Sequence, residues 1–193
     1  MHYLKKDENS EVIKQHLSYN QPKDRNLLRE QLLLEQKGFC AYSERYVKAT
    51  DKRDIEHFDP RLKNTDNDNY YNWYVVLSWI NEHKPKKIEP FLPILNPFSI
   101  EVIHRIIYED GIFKVVRQDD IEAHNLIKFL GFNKRELTED REKHIKRLQS
   151  LRELCGNDQD FIELLKKDKE SLSFITALEK ELSLNLKHLL EKS

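Results

Sequence analysis

Asp54-Ile55-Glu56-His57-Phe58-Asp59-Pro60, followed by Asn72-Trp73-Tyr74-Val75-Val76-Leu77-Ser78-Trp79-Ile80-Asn81, is the stretch that decides the reading of this chain. An acidic residue directly before a histidine sets an oxygen ligand for a cation beside a general base. Asn72 comes fifteen residues after His57 and Asn81 nine after that, where an apolar, β-rich run gives way to a short helix. Taken singly, each has an ordinary reading: a half-buried histidine, a turn asparagine, an exposed helical asparagine, a surface carboxylate. Together, at these intervals, they predict one hairpin and one helix gathering four side chains around a single cation.

The chemistry of such a set is coherent. Hydrolysing a phosphodiester needs a nucleophilic water, stabilised phosphoryl charge and help for the leaving oxygen. His57 is the expected general base, since an unperturbed imidazole titrates near about 6.5. Asn72 is expected to orient its ring by a hydrogen bond across the hairpin. Glu56 and Asn81 offer oxygen ligands suited to a divalent ion, Mg²⁺ or Mn²⁺, with water and phosphate completing the shell. A third protein ligand is less obvious. On a regular helix the i+4 partner of Asn81 is Pro85, which cannot ligate, and His83 could help only if the helix unwinds. Lys84, Lys86 and Lys87, with Arg61 and Lys63 before the loop, are candidate nucleic-acid phosphate contacts, or simply solvated charge.

Composition sets the outer bounds. The chain has 193 residues, 38% hydrophobic and 35% charged, with a mean hydropathy of -0.77, which predicts a real core under solvated helix faces. Lys+Arg 33 against Asp+Glu 34 gives -1, so any nucleic-acid binding must come from a local patch or a partner's surface. The start, Met1 to Lys6, lacks the apolar core of a signal peptide, and no apolar run approaches the roughly 20 residues of a membrane span. Two widely separated cysteines, Cys40 and Cys155, suggest no disulfide framework. The expectation is a cytoplasmic protein with no membrane partner.

Along the chain, residues 1–38 read as a helical lead-in, with Asp24 capping a helix that ends at Gly38 and carries Leu27, Leu28, Leu32, Leu33 and Leu34 on its apolar side. Residues 39–98 read as the core unit. Phe39–Val47, Arg53–Phe58 and Tyr70–Leu77 are expected β segments, Asn64–Asn69 a polar loop, and Ser78 the cap of a short helix that Pro85 must end. Residues 99–193 read as a hairpin, Val102–Tyr108 and Ile112–Val116 around Asp110-Gly111, followed by helices. Those are Ile121–Leu130 stopped by Gly131, Leu137–Leu154, Phe161–Lys167, and Ser171–Glu191. The last carries an interrupted heptad-like stripe (Leu172, Ile175, Leu182, Leu186, Leu189) that either closes the chain's own core or docks a partner. The fold class expected is α+β.

Several blocks resemble one family of HNH endonucleases. Gln36, then Cys40-Ala41-Tyr42-Ser43-Glu44, then Glu56-His57-Phe58-x-Pro60, then Asn72-x₈-Asn81-x₂-Lys84 are similar to its successive motifs. Ile94-Leu95-Asn96-Pro97, Asp110-Gly111 and Leu130-Gly131-Phe132-Asn133 with Leu137 and Arg141 resemble its C-terminal half, so the likeness covers roughly residues 25–150. That family includes PtuB, the nuclease subunit of Septu-type anti-phage systems, some of them retron-associated. The resemblance implies a ββα-metal core embedded in helices, hydrolysis of nucleic acid, and an SMC/ABC-class ATPase partner (PtuA-like). One departure stands out. Where relatives carry two Cys-x-x-Cys pairs for a structural zinc, this chain has Cys40, Ser43, Leu77 and Ile80, so the structural zinc is expected to be absent. The rival expectation is a catalytically degenerate HNH fold that binds nucleic acid or a partner without cutting.

Overall fold

The computed structural model describes residues 5–191, excepting the side chain of Glu191. Its centre is an antiparallel hairpin, β1 (Arg53–His57) against β2 (Trp73–Leu77), in the register Arg53↔Leu77, Ile55↔Val75 and His57↔Trp73. Period-two alternation explains why every residue of β2 is buried. Trp73 and Val75 face an N-terminal layer containing Val12, Leu28 and Leu32, while Tyr74 and Val76 face the main core. The N-terminal layer comes from α1 (Glu11–Lys14) and α2 (Arg25–Glu35). Only Leu28 and Leu32 of the expected leucine face are fully buried; Leu27 and Leu34 are exposed, because one turn of helix meets the sheet. Buried Gln36 seals the free edge of β2, its amide donating to the carbonyls of Phe39 and Val75 and accepting from Val75 N–H, each at 2.8 Å.

Phe39–Val47 is not a strand. It is a tight loop with a single bridge, Phe39↔Tyr46, and Glu44 sits in the left-handed region at φ 59°. The reason is tertiary. The Glu44 carboxylate accepts from Thr176 N–H (3.0 Å) and Thr176 Oγ1 (2.6 Å), and its carbonyl accepts from Phe174 N–H, capping a distant helix. After β2 the chain turns directly into α3 (Ser78–His83), with Leu77 rather than Ser78 as the cap residue. Lys84 is already extended (ψ 140°), as a residue before proline must be. The element order around the site is therefore strand, strand, helix.

The second hairpin differs at its start. Val102–Arg105 forms a helical turn, α4, before β3 (Ile106–Glu109) pairs with β4 (Ile112–Val115) through Asp110 and Gly111, both at positive φ. Then follow α5 (Ile121–Leu130), α6 (Arg135–Cys155) and α7 (Asp158–Leu165), with Gly131 left-handed at the end of α5 as expected. The expected helix Ser171–Glu191 is broken. It comprises a 3₁₀ turn (Lys169–Leu172), α8 (Ile175–Leu182) and α9 (His188–Glu191), interrupted by Phe174 and Ser183 in left-handed conformations. Its leucine stripe is spent internally: Leu172, Ile175, Leu178, Leu182, Leu186 and Leu189 all lie in the main core, which runs from Phe39 to Leu190. The protein is thus α+β, with nine α-helices and two small antiparallel sheets among the described residues. None of the described helices is long and apolar enough to cross a membrane.

Candidate functional site

A cleft of about 490 Å³ opens between the end of β1, the end of α3 and one flank of α2. His57, the last residue of β1, lies on its wall and is itself buried. Its Nε2 is 3.0 Å from Oδ1 of Asp68, whose side chain is wholly buried. The same carboxylate accepts from Trp73 Nε1–H (2.5 Å) and Asn64 N–H (2.9 Å). Asp68 is thus ringed by donors. In the neutral ring, Nε2 carries the proton toward this acceptor, and Nδ1 keeps the lone pair a base requires. Burial lowers the His57 pKa below its usual value; Asp68 opposes the shift, and Lys63 adds to it. The imidazole is accordingly neutral at neutral pH. Tyr19 packs edge-on against it, with ring centroids 4.5 Å apart.

Asn72 does not orient the imidazole directly. Its amide accepts from Asp59 N–H (2.8 Å) and donates to Asp59 C=O (3.0 Å), clamping the backbone just beyond His57. The ring's partner is Asp68, a residue the sequence hid inside a polar loop. Glu56 lines the cleft but is engaged at both oxygens, accepting from Tyr42 O–H (2.7 Å) and pairing with Lys84 Nζ (3.0 Å). Burial raises the Glu56 pKa, with Lys84 and Tyr42 opposing; burial lowers that of Lys84, with Glu56 opposing. At 3.0 Å each partner's charge opposes the burial that pushes the other toward its neutral form. The ammonium also sits 4.0 Å from the centre of the Phe129 ring. Lys84 is therefore a buried counter-ion at the cleft floor, not a mobile surface cation.

Asn81 lines the cleft as expected, and its Nδ2–H donates to Asp54 Oδ2 (3.1 Å), which brings in a second carboxylate. His83 does not join the set. It is exposed and stacks on Trp79, with Nδ1 2.7 Å from the Trp79 carbonyl. Arg61 is occupied by Asp59 through a two-pronged ion pair, and Lys87 lies outside the cleft lining. Lys63 and Lys86 do line it, and the structure adds Arg25 and Arg29 from α2.

Among the described residues, no group of three or more His, Cys, Asp or Glu side chains is arranged to hold a metal ion. Magnesium does not demand one, since it binds through one or two carboxylates and keeps several waters. Asp54, Glu56 and Asn81 line one cleft and carry carboxylate and amide oxygens, the ligand type a hard divalent ion takes, while Tyr42 and Lys84 occupy the Glu56 oxygens and the Asn81 amide nitrogen faces Asp54. The positions matching the zinc pairs form part of the interior. Cys40, Leu77 and Ile80 belong to the main core beside Phe39, Trp79 packs against it, and Leu77 N–H points at Cys40 Sγ (3.4 Å). Ser43 is buried with them. The chain matches no protein-family model, no curated protein and no solved structure.

Proposed function

We propose that this protein is a metal-dependent HNH-type endonuclease whose ββα-metal core is the β1–β2 hairpin with α3. The observation that carries the reading is His57: an imidazole with Nε2 committed to a buried carboxylate, set in a cation-lined cleft beside Asp54, Glu56 and Asn81. In this reading Nδ1 of His57 takes the proton of the attacking water. Asp68 keeps the tautomer fixed and stabilises the imidazolium as it forms. Asn72 holds the Asp59 backbone, and with it the exit of β1. Asp54, Glu56 and Asn81 would hold the divalent ion, Mg²⁺ or Mn²⁺. When bound, that ion supplies charge stabilisation at the phosphoryl group and leaving oxygen. Lys63 and Lys86 bind flanking phosphates, while Lys84 opposes the burial that raises the Glu56 pKa.

The proposal extends to a nucleic-acid substrate and to an effector role in anti-phage defence beside an SMC/ABC-class ATPase. Support for that part is the resemblance over residues 25–150 alone. The burial of the C-terminal stripe moves any partner surface away from those leucines. A second reading, a non-cutting binding module, is favoured by one specific observation, the full engagement of both Glu56 oxygens. Incubating plasmid DNA and structured RNA with the purified chain, with Mg²⁺, Mn²⁺ or chelator, separates the two. Metal-dependent nicking lost in His57→Ala supports the enzyme; intact substrate with retained binding supports the module.

A further inference from the structure

Five cationic side chains and two carboxylates line the His57 cleft, although the whole chain carries a formal net charge of only -1. One cation, Lys84, is cancelled by Glu56. The other four, Arg25, Arg29, Lys63 and Lys86, form no ion pair with any described residue. Two of them stand one helical turn apart on α2, which places both guanidiniums on the same flank of the helix. Each is pre-set by a neutral contact. Arg25 donates Nε–H to the Tyr19 carbonyl (2.9 Å) and lies 4.8 Å from the centre of the Tyr19 ring. Arg29 donates to Asn26 Oδ1 (2.9 Å). A guanidinium has five N–H donors in a planar fork, so each keeps most of them free for an anion. Tyr19 touches both the Arg25 guanidinium and the His57 ring, which ties this flank to the reactive histidine.

We infer that Arg25 and Arg29 form a phosphate clamp, so that the backbone of a nucleic-acid strand runs across the cleft between α2 on one side and Lys63 and Lys86 on the other. The inference rests on the phosphodiester reading above for the identity of the anion. Unpaired cations brought together on a nearly neutral protein repel one another, and a polyanion with regularly spaced charges relieves that repulsion. Pre-set arginines lose less side-chain freedom on binding than free ones. The clamp also gives the lead-in helix a function, as one wall of the substrate path.

The test is binding without cleavage. Fluorescence anisotropy would follow labelled DNA duplex, DNA strand and RNA strand in chelator, over a series of salt concentrations, for the wild type, Arg25→Gln, Arg29→Gln and both together. Arg135→Gln on α6, remote in sequence and absent from the cleft lining, serves as control. Each lost contact should flatten the log-affinity against log-salt slope by about 0.9 for duplex or 0.7 for single strand, roughly eightfold in duplex affinity at 0.1 M salt. Arg→Lys at the same positions should restore most of the slope, which a folding defect would not allow. No binding by the wild type, or variants with unchanged affinity and slope, would overturn the clamp. So would a loss of affinity at constant slope. A protein that binds with these slopes yet never cuts would refute the hydrolytic reading and leave the clamp standing. One that cuts while the variants bind normally would do the reverse.

Discussion

Replacing Asp68 by alanine is the sharpest single perturbation of the site, because three donors converge on one carboxylate. His57 Nε2, Trp73 Nε1 and Asn64 N–H would all lose their acceptor. Asn64 is exposed and regains water at little cost. The Trp73 and His57 side chains are buried, and a buried donor left unsatisfied costs about 1–3 kcal/mol. His57 can soften its share by moving the ring proton to Nδ1, so the expected loss is about 2–4 kcal/mol. For a chain of this length that corresponds to a fall in melting temperature of roughly 5–15 °C. The functional loss should exceed what stability explains, since the tautomer shift removes the lone pair from Nδ1. At a temperature where the variant stays folded, cleavage should drop by about 10²–10⁴-fold. Urea unfolding followed by tryptophan fluorescence gives the first quantity, and ¹⁵N chemical shifts of the His57 ring report the tautomer. A variant within about 0.5 kcal/mol of wild type, with the Nε2–H tautomer retained, would refute the assignment of Asp68.

Deleting residues 171–193 should leave no folded protein. The deletion removes eight large apolar side chains, Leu172 to Leu190, that are each at most 6% exposed. At about 1.5–3 kcal/mol apiece the loss is roughly 12–24 kcal/mol, against a typical stability of about 5–15 kcal/mol; circular dichroism showing a native-like truncated core would contradict this. Stability should fall on mild acidification. Burial lowers the pKa values of both His57 and His144 below 6.5, so the unfolded chain takes up protons first. Their contribution is complete above the unfolded value and is lost as pH falls through the folded ones, which thermal melts between neutral and mildly acidic pH will register. Elemental analysis of the purified protein should find no stoichiometric zinc, because the four matching positions hold one thiol among buried Leu77, Ile80 and Ser43; one tightly held zinc per chain would overturn that.

Much of the scaffold was legible because its signals are local. A continuous apolar run rich in aromatic and β-branched residues marked β2, and Asp110-Gly111 marked a turn that needs two positive φ values. Gly131 marked the end of α5. The intervals from Glu56 to Asn81 placed three of the four motif residues on one cleft. What was hidden depended on partners remote in sequence. Asp68 looked like turn chemistry, and only the folded loop directs it inward onto His57. Arg25 and Arg29 belonged to a helix with no visible link to the motif until α2 packed on the hairpin. Glu44 turned an expected strand into a loop because its carboxylate caps α8, 132 residues away along the chain. Lys84, read as a phosphate contact, is drawn inward by Glu56, a pairing that no spacing rule announces.

Hydrolysis in the His57 cleft is the central claim, and a paired cleavage assay tests it most directly. Wild type, His57→Ala and Asn81→Ala would be incubated with end-labelled DNA and RNA in Mg²⁺, in Mn²⁺ and in chelator, after melts establish that each variant is folded. The account predicts metal-dependent phosphodiester cleavage by the wild type, abolished by chelator without unfolding and reduced by about 10²–10⁴-fold in His57→Ala. Undiminished cleavage by a well-folded His57→Ala protein would contradict it.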